Sequence, residues 1–388
     1  MFEIEKIPSG FKMATEVLSL GSETRPRISW NSGGVLFSLS QTGPSRGFAD
    51  LYEAASLYLL KKFKFVPEII TFDPHPLFCC GRAAATLKAK FFPRSRLVPV
   101  FHHIAHVARF AIDEGLKKKY IGLAFDGNGY GSDGNSWGSE FFIYSGGVFS
   151  RRAHFDYMRL AGGDAATKEP WRLAAGVAFE IYGEDIFKRD TAFLKGIPKD
   201  RLRLVCQMLE KKFNIAYSSS AGRLFDAVAA MLKIKSFAPR EGEAALALEA
   251  EAKRSYGAAV SYPFDIKEQK SGLCVSFLPM FKEIIQKRSF SRSERQVVSR
   301  RFHVTVASAA GRACRLLRKK FGINLVYASG GVFMNDVLCS DLKEILRSDG
   351  FKLIFAKRPF NTDLGISEGQ ISAICMDKSL RSGSLKCV

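Results

Sequence analysis

The run YIGLAFDGNGYG, Tyr120 to Gly131, decides the fold class. It predicts a strand that runs into a glycine-rich loop, with Asp126 closing the apolar GLAF and opening DGNGYGSDG. An aspartate at the carboxyl end of a strand points into the crevice where α/β folds place their ligands. Working outward, short strands are predicted at 17–23, 34–40 and 68–73, with an amphipathic helix at 49–63 and a helical pattern at 102–116. After it, 137–155 reads as a β-hairpin turning at Ser145-Gly146-Gly147. Helices then dominate, near 170–182, 199–213, 221–232, 241–256 and 277–288. The last part alternates again: helix 305–320, strand NLVYAS, helix 334–347, strand KLIFA and a closing helix near 366–376. Alternation of this kind implies α/β layers with partly parallel sheets. The expected organisation is a first lobe, 1–119, carrying a histidine helix. A second lobe, 120–364, holds nucleotide-binding turns and helical insertions, and 365–388 form a closing helix and flexible tail.

Composition narrows the class. The 388 residues are 47% apolar and 25% charged, globular values that leave no place for a disordered or fibrous chain. No window of about 18 uninterrupted apolar residues exists, and the start MFEIEK is charged, so neither a membrane span nor a secretory signal is expected. A soluble, cytoplasmic protein follows. None of the 8 cysteines forms a C-x-x-C pair, so they read as reduced core thiols, with Cys387 an exposed tail thiol. The net charge of +20 suits polyanionic partners. It is densest at 282–301, a stretch expected either to be a solvated face or to meet an acidic partner.

The chemistry gathers in a few segments. In FHHIAHVARF, His102 and His106 are four apart and share one helix face, a standard way to place two imidazoles on one metal, beside His103. Asp126 and Asp363, each closing a segment before a glycine turn, complete a candidate set. Two histidines and two carboxylates suit zinc or iron(II) better than magnesium. Glycine turns recur at Gly127-Asn128-Gly129, Gly162-Gly163-Asp164, Ser220-Ala221-Gly222 and Ser329-Gly330-Gly331. Such turns let a backbone approach a phosphate and present free N–H groups, so together they predict nucleotide binding. No Walker A motif, G-x-G-x-x-G or G-x-S-x-G elbow is present, and no nucleophile stands out.

The strings FHHIAHVA, GLAFDGNGYGSDGNSWGSEF, AGGDAATKEPWR, SSAGRLFDAVAA, EGEAALALE, ASGGVFMN and NTDLGISEGQ resemble the carboxyl-terminal transferase domain of the HypF-type carbamoyltransferases. That family matures the active site of [NiFe]-hydrogenases. The resemblance runs in order from about residue 15 to residue 376, and its two most specific strings are absent from the related TsaD-type tRNA enzymes. It implies a two-lobed, actin-like ATPase fold of the sugar-kinase and heat-shock type. It also implies transfer of the carbamoyl group of carbamoyladenylate to the carboxyl-terminal cysteine thiol of HypE. By resemblance His102, His106, Asp126 and Asp363 are metal ligands, with His106 and Asp126 at the reacting centre. Asp226 stands near the ribose, and Gly127, Gly129, Gly163, Asp164, Gly222, Glu243, Gly330, Gly331 and Asn335 line the nucleotide pocket. The implied cofactors are zinc or iron, carbamoyladenylate or ATP, and magnesium as a further ion. The family's upstream acylphosphatase, zinc and YrdC-like adenylating domains have no counterpart in these residues, which implies a separate YrdC-like protein as supplier. The family's L-G-x-E-L-K-N reads LGSETRP here, its Q-H-x-G-D-L reads QTGPSRGFADL, and its E-G-Q reads Glu241-Gly242-Glu243. Two other functions share this core. The charge favours a tRNA threonylcarbamoyladenosine-type transferase, and the missing domains favour a non-catalytic nucleotide-binding subunit. The two specific strings outweigh both, so no nucleic acid or membrane partner is expected.

Overall fold

The computed structural model describes residues 2–23, 27–41, 47–116 and 119–381. Two sheets organise them. The first contains β1 (Phe2–Ile7), β2 (Val17–Ser19), β3 (Ile28–Ser32), β4 (Val35–Gln41), β5 (Ile69–Phe72) and β6 (Arg96–Pro99), in the order β1-β4-β3-β2-β5-β6. Its β1–β4, β4–β3 and β3–β2 pairs are antiparallel, while β2–β5 and β5–β6 are parallel. The helices Phe48–Phe63 and Cys79–Lys90 cover one face, around buried Trp30, Tyr52 and Phe92.

The second sheet is built from β7 (Lys119–Tyr130), β8 (Ser136–Ser145), β9 (Val148–Phe155), β10 (Met158–Ala161), β11 (Ile215–Ser218), β12 (Asp265–Gln269), β13 (Gly272–Ser276), β14 (Leu325–Ser329) and β15 (Lys352–Phe355). Its main path is β12-β13-β9-β8-β7-β14-β15, with the β10–β11 pair attached at β8. β8 and β9 form the predicted hairpin, and β14 joins β7 and β15 in parallel. The helices between β10 and β13, with the thirty-residue helix Arg292–Phe321, pack a large apolar core on this sheet. The expected two-lobed α/β architecture with helical insertions in the second lobe is what the chain adopts.

Three local expectations change. The helical pattern at 102–116 breaks at Arg109 into His102–Ala108 and Phe110–Glu114. The helix expected at 305–320 starts at Arg292, because Ser291 and Glu294 form a reciprocal capping box there. The glycine-rich loop after GLAF is part of β7: the register shifts between Phe125 and Gly129, so Asp126, Gly127 and Asn128 stand opposite Gly138. A bulge bends its strand and re-aims a side chain, and the one aimed here is Asp126.

Between the lobes lies a third apolar cluster, made by the histidine helix His102–Ala108, the closing helix Ile366–Met376 and one face of β7. The histidine helix is buried on every residue, so its histidines do not decorate an exposed face. Glycines permit that packing. A Cβ on Gly129 would lie 2.4 Å from the His103 ring, and one on Gly369 would lie 2.1 Å from the Ala105 carbonyl. The closing helix is pinned to the first sheet by polar contacts. Gln370 accepts from Ser19 at 2.6 Å, Glu368 accepts from Ser38 at 2.8 Å, and Ser367 shares a hydrogen bond with Ser29 at 2.8 Å. Glu368 also accepts from Arg109, a fully buried ion pair. Among the described residues no helix is long and apolar enough to cross a membrane. Arg25 and Pro26 of LGSETRP, residues 42–46 of QTGPSRGFADL, and the tail 382–388 with Cys387 lie outside the described residues.

Candidate functional site

His102, His106, Asp126 and Asp363 converge, with one donor atom from each all within 4.8 Å of one another. The two imidazoles come from adjacent turns of one helix, as i and i+4 spacing dictates. Asp126 is supplied by the β7 bulge, and Asp363 opens a single 3₁₀ turn, Asp363–Gly365, just before the closing helix. The Nε2 of His102 lies 3.4 Å from a carboxylate oxygen of each aspartate, and the Nε2 of His106 lies 3.7 Å from the same two oxygens. Neither Nε2 has a hydrogen-bond partner, although both are buried. Two orphaned imidazole nitrogens facing two carboxylate oxygens are what a divalent ion's donor set looks like, so these residues fit a metal.

The surroundings fix each group. His102 Nδ1 is 3.0 Å from Asp73 Oδ2, a carboxylate that also accepts the His75 N–H at 3.0 Å. A carboxylate behind a histidine sets its tautomer and ring orientation and raises its basicity as a ligand. His106 Nδ1 lies 3.3 Å from the Ser329 hydroxyl, and Asp126 Oδ1 accepts the Gly331 N–H at 3.0 Å. Burial opposes charge on both histidines, but the carboxylates prevail and raise both pKa values, His102 well above its ordinary value. Burial likewise opposes ionisation of Asp126 and Asp363, and the histidines overcome it to hold both carboxyls well down. His103, buried and facing away towards Trp137, is pushed well below the ordinary histidine value and stays neutral. It is not part of the cluster.

Asp126 and Asp363 also form one end of a cleft of about 370 Å³. Of the residues expected at a nucleotide, Gly127, Gly222, Asp226, Gly331 and Asn335 line it. The floor is tight: a Cβ on Gly222 would lie 2.9 Å from the Gly127 Cα, and Ser220, which caps the helix Ala221–Met231, donates to the Asp126 carbonyl at 2.7 Å. Asn335 caps the helix Asp336–Ser348 by accepting the Leu338 N–H at 2.9 Å. Its amide nitrogen donates to His303 Nε2 at 3.0 Å, while His303 Nδ1 donates to the Ser299 carbonyl at 2.7 Å. Phe225, Ala245, Leu246, Val332 and Met334 give the cleft an apolar wall.

The remaining expected residues stand elsewhere. Gly129 packs on the histidine helix, and Gly330, at φ 114°, backs onto the Phe125 carbonyl behind Asp126. Gly163 and Asp164 start a five-residue helix, Asp164–Lys168, outside the cleft lining. Glu243 pairs with Lys235 at 2.6 Å, because its helix turns it outward; its neighbour Glu241 lines the cleft instead. Asp73, Ser329, Arg223 and His303 are functional candidates that motif reading passed over. Asp73 carried a signal, since it closes the strand EIITFD as Asp126 closes GLAF. The basic stretch 282–301 is partly self-satisfied: Lys287 pairs with Glu294, Arg300 with Asp341, and Arg301 lies over the Tyr262 ring.

Comparison with known proteins identifies the family. Residues 12–113 match the HypF Kae1-like domain, and residues 122–370 match the family described as carbamoyltransferase, Kae1-like domain, second subdomain. The chain is 31% identical over 399 residues to carbamoyltransferase HypF2 of Cupriavidus necator, covering 94% of this chain and 47% of that protein. It is also 31% identical over 308 residues to a carbamoyltransferase HypF homolog of the same organism, covering 78% of this chain and 76% of the other. The crystal structure of full-length HypF in the phosphate- and nucleotide-bound form superposes with a TM-score of 0.82 at 28% identity, over 95% of this chain and 47% of that one. HypF of T. kodakarensis gives 0.80 at 25% identity, over 98% and 49%. The chain thus spans about half the length of most of these relatives.

Proposed function

This chain belongs to the HypF family of carbamoyltransferases, and from that premise we propose that it transfers the carbamoyl group of carbamoyladenylate to the carboxyl-terminal cysteine thiol of HypE. The observation that carries the reading is the buried two-histidine, two-aspartate cluster opening directly onto the glycine-floored cleft. In the reaction, the bond between the carbamoyl carbon and the phosphate oxygen breaks, a carbon–sulfur bond forms, AMP leaves and the thiol proton is released. A zinc or iron(II) ion held by His102, His106, Asp126 and Asp363 would supply Lewis acidity towards a carbonyl or phosphoryl oxygen.

The chain's own residues do the rest. Asp73 and Ser329 fix the two imidazole rings, and the Gly331 N–H fixes the Asp126 carboxylate, so the cluster is set before substrate arrives. Gly127 and Gly222 add no side chain of their own to the cleft floor, where Glu241 Oε1 stands 2.8 Å from the point a Cβ on Gly127 would occupy, and the apolar wall suits a nucleobase. The accepting sulfur comes from the partner. Burial pushes Cys80, Cys274 and Cys314 up to about 12, and Cys79, Cys206 and Cys339 to about 11, so none of these is a ready thiolate at neutral pH.

A single-turnover reaction with pre-formed carbamoyladenylate and purified HypE tests this. Intact mass should show one carbamoyl adduct on the HypE terminal cysteine, lost with His106→Ala and Asp363→Ala. Tight nucleotide binding without any adduct would overturn the transferase reading.

A further inference from the structure

The Asp126 carboxylate is oriented by the Gly331 N–H, and Gly331 opens a single 3₁₀ turn, Gly331–Met334. A turn this short has too few hydrogen bonds of its own to hold its place, so its position is set from outside. On the exposed side Arg358 donates to the Phe333 carbonyl at 3.0 Å and to the Asp336 carboxylate at 2.9 Å, and Glu249 accepts the Asp336 N–H at 2.9 Å. On the buried side Asn335 meets His303. The Asn335 amide has one orientation, because its oxygen must accept the Leu338 N–H that caps the next helix. Its nitrogen therefore faces His303 Nε2 at 3.0 Å. An amide nitrogen only donates, so Nε2 is the bare nitrogen of the imidazole. Nδ1 then carries the proton, and it has the acceptor this requires, the Ser299 carbonyl at 2.7 Å. The ring is fully buried, with Phe225 and Phe302 edge-on to it at 5.2 Å and 5.7 Å, so no water offers either group another partner.

We infer that His303 is a positioning residue of the two-histidine, two-aspartate cluster: as a neutral imidazole protonated at Nδ1 it holds Asn335, and through the turn before Asn335 it holds the Gly331 N–H that orients Asp126. This rests on the reading of the cluster as a metal centre. Without an acceptor at position 303 the Asn335 amide is left with an unpaired buried donor. It can relieve that only by turning, which gives up the cap bond to the buried Leu338 N–H. Either outcome moves the end of the turn. The movement reaches Asp126 by two routes, the Gly331 N–H and the Phe333 ring, which stacks at 5.1 Å on Phe125, the residue before Asp126.

Competitive titration of zinc against a chromophoric chelator tests this with three variants. His303→Leu keeps an apolar side chain in the pocket and removes the acceptor; zinc affinity should fall by ~3- to 10-fold, the lower end of what outer-shell changes cost. His303→Gln puts an amide oxygen where Nε2 stood and should bring the affinity back to within about twofold of the unaltered protein. Val306→Ala opens a cavity at a fully buried position of the same helix and should lower thermal stability while leaving zinc affinity unchanged. Independently of any variant, long-range proton–nitrogen NMR of the histidine-labelled protein at neutral pH should show His303 protonated at Nδ1 and bare at Nε2. Unchanged zinc affinity in His303→Leu, a loss in His303→Gln or Val306→Ala as large as in His303→Leu, or a proton on Nε2 would each overturn the inference. An unaltered protein that binds no zinc would instead overturn the metal reading of the cluster.

Discussion

Replacing Asp73 by Asn is the most direct probe of how the two-histidine, two-aspartate cluster is held. The side chain keeps its shape but loses its charge, at a position only 1% exposed and 3.0 Å from His102 Nδ1. A hydrogen bond to a charged group contributes ~1.5–3 kcal/mol. An amide oxygen can still accept from Nδ1, but it cannot also hold the His75 N–H as strongly. The bond therefore weakens without vanishing. Outer-shell substitutions of this kind cost ~10- to 100-fold in metal affinity, which corresponds to ~1.4–2.7 kcal/mol and agrees with the hydrogen-bond figure. Competitive titration of zinc against a chromophoric chelator measures it, with Asp126→Asn beside it as a first-ligand control. Zinc affinity within about threefold of the unaltered protein, with Asp126→Asn clearly impaired, would show that Asp73 merely shapes its turn.

Gly129→Ala places a Cβ 2.4 Å from the buried His103 ring, so the histidine helix must shift; a loss of ~1–3 kcal/mol in urea unfolding, with weaker zinc binding, is expected. His303 is held neutral by burial, its pKa lowered from 6.5 to about 4. As pH falls below 6.5 the unfolded chain takes the proton first, so this contribution is full above 6.5 and is lost towards 4; the loss amounts to roughly 3 kcal/mol, and denaturation of His303→Phe across that window should show a correspondingly flatter profile. Metal affinity should fall on acidification, because the carboxylates favour a proton on His102 and His106 that the ion must displace; equilibrium dialysis from pH 8 to pH 5 checks it. Arg109→Met removes one of the two arginines paired with Glu368, Arg27 remaining at 3.3 Å, and should destabilise the fold by ~1.5–3 kcal/mol in thermal melts.

The parts of this molecule that were legible in its sequence are those whose cause is local. The apolar run before Asp126, the hairpin turn at Ser145-Gly146-Gly147 and the i, i+4 histidines each carry their geometry within a few residues, and each stands as read. The bulge at Asp126–Asn128 has the glycine-rich composition of a loop, and only pairing with β8 distinguishes the two. The long basic helix lost its first four turns for another reason. Arginine-rich periodicity is weak, although Ser291-x-x-Glu294 was a start signal in plain view. Asp73 and His303 carry roles that depend on partners far along the chain, His102 for one and Asn335 for the other. The motif Glu241-Gly242-Glu243 fixes a neighbourhood but not which glutamate faces the cleft, because the direction a helix gives a side chain is settled only by its cap, here Gly242 in the left-handed region.

The site also explains why the lobes need such costly buried polarity between them. Its four side chains come from three separate parts of the chain: the histidine helix, the β7 bulge and the turn before the closing helix. Asp363 reaches the cluster only if the segment before it is held, and the Arg27 and Arg109 guanidinium groups lie over the Phe360 ring there, 5.1 Å and 4.7 Å from its centre. Glu368, five residues after Asp363, pairs with both arginines and accepts from Ser38 of the first sheet. A hydrophobic substitute for that network could stabilise the helix equally well, since buried ion pairs seldom surpass apolar packing. It would not dictate the register of the closing helix, and a register error there moves Asp363 out of reach of two imidazoles on the neighbouring helix. Polar partners with fixed geometry therefore sit where position matters more than stability, one turn from the residue they place.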